Sequence, residues 1–96
     1  MPKAYIIAHI DVHNADLFAK FRELSAPVLA EYGAKVLVGN PSPDQREGAV
    51  KPTTVIVEFK DMETATTFYE SQGYTEARAV RQQAADTDLI IVEGLG

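Results

Sequence analysis

No cysteine occurs in the sequence. That absence excludes disulfides, thiolate zinc sites and a cysteine nucleophile together, and it selects no redox compartment. Runs of lysine or arginine are also missing. Nine basic residues are scattered against fourteen acidic ones, giving a formal charge of −5 and a pI of about 4.9. Binding to a phosphate backbone depends on clustered positive charge, so no nucleic acid is expected as a partner. An anionic membrane surface is disfavoured for the same reason. Apolar runs such as Leu89-Ile90-Ile91-Val92 fall far short of the roughly 20 residues a membrane helix needs. Met1-Pro2-Lys3-Ala4 does not open like a signal peptide, and the expected location is cytoplasmic.

What is present describes an ordinary globular chain, 46% hydrophobic and 24% charged. Its 96 residues make a single domain, 1–96. Surface scaling implies that such a chain buries roughly 64% of its unfolded surface. That is adequate but modest, and it favours burying more by self-association.

Residues 4–12 alternate. Ile6, Ala8, Ile10 and Val12 form an apolar face, and Tyr5, Ile7, His9 and Asp11 a mixed one, as in a strand covered on one side. Asn14 or Asp16 can cap a helix whose apolar stripe is Leu17, Phe21, Leu24, Val28 and Tyr32, widened by Phe18, Ser25 and Leu29. Pro27 predicts a kink or a restart there, and Gly33 a left-handed stop. Lys35–Gly39 reads as a second strand, Asn40–Pro52 as a loop, and Thr53–Phe59 as a third strand. Asp61 caps a short helix with Ala65, Phe68 and Tyr69 facing inward. Ser71 recaps a second helix whose inner face is Tyr74, Ala77, Val80, Arg81 and Ala84, and Leu89–Glu93 closes the chain as a strand.

The order β-α-β-β-α-β predicts a ferredoxin-like α+β domain, a four-stranded antiparallel sheet with its helices on one face. The other face, carrying Tyr5, Ile7, Leu37 and Ile56, is a large apolar patch of the kind monomers rarely expose. Face-to-face homodimerisation is the economical way to cover it.

Several stretches together resemble family 1330 of the domains of unknown function. They are Ala4-Tyr5-x-Ile7-Ala8, Tyr32-Gly33 ending a helix, Glu58-Phe59 before a capped helix, Tyr69-x-Ser71-x-x-Tyr74 with Arg81, and Val92-Glu93-Gly94. The resemblance spans essentially the whole chain. It implies the dimeric α+β-barrel architecture, in which two ferredoxin-like sheets close on each other. Relatives in that wider group include monooxygenases, isomerases, dehalogenating enzymes and ligand-sensing domains. The family has no settled activity, so the resemblance supplies a fold and leaves function open. Gln72-Gly73 stands where a Pro-Glu pair is expected after the serine cap, which implies a looser turn.

Five residues are candidates for a ligand pocket between sheet and helices: His9, Glu58, Tyr69, Tyr74 and Arg81. Arg81 shares a helix face with Tyr74, so its guanidinium approaches the sheet, where a buried charge needs a partner. Glu58 or Glu93 pairing with it as a structural ion pair is favoured over a grip on an anionic ligand. Tyr69 and Tyr74 have apolar bodies and polar tips, suited first to packing and second to a pocket. His9, Asp11 and His13 would alternate on one strand face about 7 Å apart successively. That is too far for one ion, and no metal or cofactor is expected. No nucleophile triad or phosphate-cradling loop is present. The sequence thus supports a small dimeric protein binding an organic molecule. Its alternatives are a dimeric interaction or stress-response module and, by analogy with relatives, a cofactor-free oxygenase or isomerase. A closed cavity holding His9, Glu58, Tyr74 and Arg81 would favour the first, and a filled core the second.

Overall fold

The computed structural model describes residues 2–96. The chain runs β1 (Ala4–Val12), α1 (Ala15–Glu31), β2 (Lys35–Asn40), β3 (Thr53–Phe59), α2 (Met62–Glu70), α3 (Gln72–Ala84) and β4 (Ala85–Glu93). The strands form one antiparallel sheet in the order β2-β3-β1-β4. This is the ferredoxin-like α+β arrangement, with the second helical connection divided in two at Ser71. The Cα trace measures 36 × 33 × 16 Å. The short dimension is that of one sheet and one helical layer, so one sheet face carries no helices.

Alternation along β1 sets the two faces. Ala4, Ile6, Ala8 and Ile10 are buried beneath the helices, whereas Tyr5, Ile7 and His9 are half-buried on the open side and Asp11 is exposed. The core packs Phe59 and Phe68, fully enclosed, with Ala4, Ile6, Val57, Ala65 and Tyr74. Phe21, Val28, Leu29 and Tyr32 close it from α1.

The caps follow side-chain chemistry. Asn14 Oδ1 accepts from Leu17 N at 3.1 Å, and Asp61 Oδ1 from Thr64 N at 2.8 Å, each satisfying an orphan amide. Gly33, at φ +65°, ends α1 as expected. Its N–H donates to Ala30 O at 3.1 Å and that of Ala34 to Leu29 O at 3.0 Å, the paired bonds of a left-handed helix stop.

Helix α1 runs through Pro27 as one continuous helix, without a restart, so the carbonyl of Glu23 goes without its helical N–H partner. Three details differ from the sequence reading. Leu24 is 37% exposed, and Ser25 takes the inner position at 5%, its hydroxyl bonded back to Arg22 O at 3.4 Å. Phe21, Val28 and Tyr32 of the expected stripe still pack on the core, so the buried arc is only shifted toward the Ser25 and Leu29 side, leaving Leu24 outside it. Strand β4 begins at Ala85, four residues before Leu89, because Ala85 and Asp86 pair with Val12 and Asp11 of β1. In β2 a register shift between Val36 and Val38 makes Leu37 a bulge, and Val38 instead of Leu37 lies opposite Ile56. Bulges twist edge strands away from unwanted pairing.

Candidate functional site

Ser71 sets up the site. Its hydroxyl donates to Phe68 O at 2.7 Å and accepts from Tyr74 N at 3.3 Å, joining the end of α2 to the start of α3. Tyr74 is thereby fixed one turn into α3, its ring 4.6 Å from Phe68, 5.5 Å from Tyr69 and 6.3 Å from Phe21, centroid to centroid. Arg81 lies two turns further along. Helical side chains lean toward the N-terminus, and Arg81 reaches back so that Nη1 donates to the Tyr74 hydroxyl at 2.5 Å. Its guanidinium carbon stands 5.4 Å from the Phe21 ring centroid and 5.9 Å from that of Tyr74, within cation–π range.

Arg81 is only 5% exposed, and among the described residues no carboxylate pairs with it. Its Nε is buried without a partner, as is the Thr87 hydroxyl. The expected structural ion pair with Glu58 or Glu93 is therefore absent. The reason is placement: Glu58 pairs in register with Tyr5 and Lys35 on the open face, with the sheet between it and Arg81, and Glu93 is exposed at the end of β4. Burial pushes the Tyr74 phenol above its ordinary pKa, against the opposing pull of the Arg81 charge.

An open groove of about 480 Å³ runs beside β4, the edge strand next to β1. Tyr69, Arg81, Thr87 and Leu89 line it, and Lys51, Asp86 and Asp88 stand along it. Lys51 Nζ donates to Asp88 Oδ2 at 2.5 Å. That bond, with the nearby charges of Asp86 and Asp11, raises the lysine's pKa against the cost of burial.

The five candidates thus divide. Tyr69, Tyr74 and Arg81 come together on the helix side. His9 and Glu58 lie on the open sheet face, so no closed cavity holds them with Tyr74 and Arg81. There Glu58 accepts from Tyr5 Oη at 3.3 Å and Lys3 Nζ at 3.4 Å, and His9 Nδ1 lies 3.2 Å from Thr54 Oγ1. His13 sits beyond β1, its backbone N–H bonded to Ala84 O at 2.9 Å. Among the described residues, no three or more histidine, aspartate and glutamate side chains cluster as a metal site. Thr87, Asp86 and Asp88 escaped the sequence reading because the polar start of β4 did not read as strand. The Phe21 ring under Arg81 was visible only as part of a hydrophobic stripe.

The fold is shared with solved structures of low sequence similarity. A protein of unknown function from Rhodopseudomonas palustris superposes with a TM-score of 0.78 at 19% identity, covering 99% of this chain and 84% of its own. A dimeric ferredoxin-like protein of unknown function from a Jannaschia species gives 0.77 at 11%, covering 96% and 99%. A cofactor-independent oxygenase from Streptomyces nogalater gives 0.61 at 12%, covering 100% and 96%. No curated protein matches the sequence. Residues 3–95 match the family described as "Domain of unknown function (DUF1330)", and the chain belongs to that family.

Proposed function

We propose that this protein is a homodimer that binds a small organic anion, with Arg81 as the anchoring cation in the groove beside β4. One observation carries the reading: a guanidinium 5% exposed, held by Tyr74 and Phe21, with no carboxylate partner among the described residues. A desolvated, uncompensated charge is costly. A fold that keeps one has use for the anion that completes it, and Tyr74 presents the guanidinium in fixed orientation. The cytoplasm is the setting expected for it.

Self-association is supported by the open sheet face and by the dimeric neighbours of the same fold. An obligate interface of this kind buries more than roughly 2,000 Å² in total. The reading is one of binding. The oxygenase activity named for the Streptomyces protein comes with 12% identity, which carries the backbone and not the chemistry.

The test is a thermal-shift and calorimetric titration of small carboxylates against the wild type and Arg81→Met. Binding that disappears in Arg81→Met, with the variant's fold intact by circular dichroism, is the expected result. Equal binding by both proteins would remove Arg81 from the site.

A further inference from the structure

Resting on that anion-binding reading, we infer that the ligand is a small dicarboxylate, its inner carboxylate held by Arg81 and its outer one by Arg78. The inference starts from a second cation without a partner. Arg78 lies one turn before Arg81 on α3 and is half-buried, and among the described residues no carboxylate pairs with it. Its guanidinium carbon stands 4.8 Å from the ring centroid of Tyr69, and Tyr69 lines the same groove as Arg81. Gln82, one turn beyond Arg78 and so on the same side of the helix, lines it too. Arg81 therefore sits inside the groove and Arg78 at its mouth.

The two charges share one neighbourhood. Burial, the larger effect, raises the pKa of the Tyr74 phenol, and the charges of both Arg81 and Arg78 pull against it. Like charges one turn apart on a helix repel, and an anion lying across both converts that repulsion into attraction. No acidic side chain of β4 takes this place. Asp86 and Asp88, opposite Asp11 and His9, point to the open sheet face, where Asp88 meets Lys51. Thr87 and Leu89, opposite the buried Ile10 and Ala8, point to the helix side. What β4 offers toward the arginines is thus the Thr87 hydroxyl, buried without a partner.

The spacing suits two linked carboxylates. Nη1 of Arg81 is spent on Tyr74 and Nε is unpartnered, an edge that a planar carboxylate matches. From Arg78 to Arg81 the helix advances about 4.5 Å. Both side chains lean toward the N-terminus, so their heads stay offset along the groove, a span that a short dicarboxylate bridges end to end.

Three probes test this at neutral pH: succinate, butyrate and inorganic phosphate. Butyrate has the carbon chain of succinate with a methyl group in place of one carboxylate, and phosphate carries its charge on one compact group. Each is titrated by calorimetry into the wild type, Arg78→Met and Arg81→Met. Succinate should bind the wild type at least roughly tenfold more tightly than butyrate, the worth of a hydrogen bond to a charged group. Arg78→Met should bring succinate down to the level of butyrate and leave butyrate itself unchanged, which a general loss of folding would not do. Arg81→Met should abolish both. Butyrate binding as tightly as succinate, or succinate indifferent to Arg78→Met, overturns the dicarboxylate inference, makes Arg78 a packing residue on Tyr69 and leaves the anion site at Arg81 standing. Phosphate binding as tightly as succinate, and dependent on both arginines, overturns the two-carboxylate span in favour of one shared anionic group. Absence of Arg81-dependent binding by all three probes overturns both readings.

Discussion

Arg81 donates to the Tyr74 hydroxyl at 2.5 Å across two turns of α3, and this contact ties a buried charge to a neutral partner. The consequence is an asymmetry between the two residues. Tyr74→Phe leaves the guanidinium without its acceptor, and a hydrogen bond to a charged group is worth about 1.5–3 kcal/mol. Arg81→Met removes the desolvated charge itself, keeps the apolar stem and strands only a phenol. Its effect on the ligand-free protein should stay within about 1 kcal/mol of zero, because replacing buried charge by a hydrophobe is often neutral. Equilibrium denaturation of both single variants and the double variant measures this. A loss of about 3–5 kcal/mol on Arg81→Met would mean that a carboxylate was stranded, as in a true ion pair.

Tyr74 also predicts an alkaline limit. Its folded pKa lies above the ordinary 10.0, chiefly through burial. The folded state thus holds the phenolic proton more tightly than the unfolded chain. The stabilisation is fully present below the unfolded pKa and is lost as pH rises from about 10 through the folded value. Denaturation midpoints should fall across that window in the wild type and more gently in Tyr74→Phe. Parallel profiles would place the alkaline sensitivity elsewhere.

Much of this fold was legible because local signals agreed with one another. Alternation fixed β1 and β3, Asp61 and Ser71 marked two helix starts, and Gly33 marked a stop. The candidate site was legible only in half. Helical periodicity correctly put Tyr74 and Arg81 on one inward face, because that is a property of a single element. Which sheet face Glu58 occupies depends on parity along β3: Phe59 is buried under the helices, so its neighbour Glu58 must point the other way. That constraint was available in the alternation itself, but the pairing of opposite charges overrode it. Thr87 and Asp88 were beyond reach, since Ala85-Asp86-Thr87-Asp88 has weak strand propensity and is held in β4 by pairing with β1.

The open face predicts a dimer that one charge can break. Ile7 lies opposite Ile56 and Ile90, and Ile56 opposite Val38, so an aliphatic row crosses all four strands. Ile90 is 56% exposed in the single chain. Sedimentation at micromolar concentration should give the wild type twice 10.5 kDa. Ile7→Asp should give a folded monomer, because an unpaired charge in a desolvated interface is strongly unfavourable. A wild-type monomer, or an Ile7→Asp dimer, would show that this row is not the interface.

Gly73 supplies the last prediction. A Cβ built there comes within 2.9 Å of Val28 Cγ2, so the start of α3 abuts α1 at a distance that only glycine accepts without a shift. Two effects then oppose each other in Gly73→Ala. Helix propensity favours alanine by up to about 1 kcal/mol, whereas overpacking typically costs about 1–3 kcal/mol. Val28 is β-branched and, in a helix, strongly confined to one χ1 rotamer, so it cannot swing aside. Overpacking should win, and Gly73→Ala should destabilise the fold by up to about 2 kcal/mol. Val28→Ala on its own loses buried apolar contact. Combined with Gly73→Ala it removes the clash, so the double variant should be more stable than the sum of the two single changes by about 1 kcal/mol or more. Urea denaturation of the four proteins completes the cycle. If Gly73→Ala alone stabilises the protein, the two helices have room to separate, and the glycine is there for the turn after Ser71 instead of for the contact with Val28.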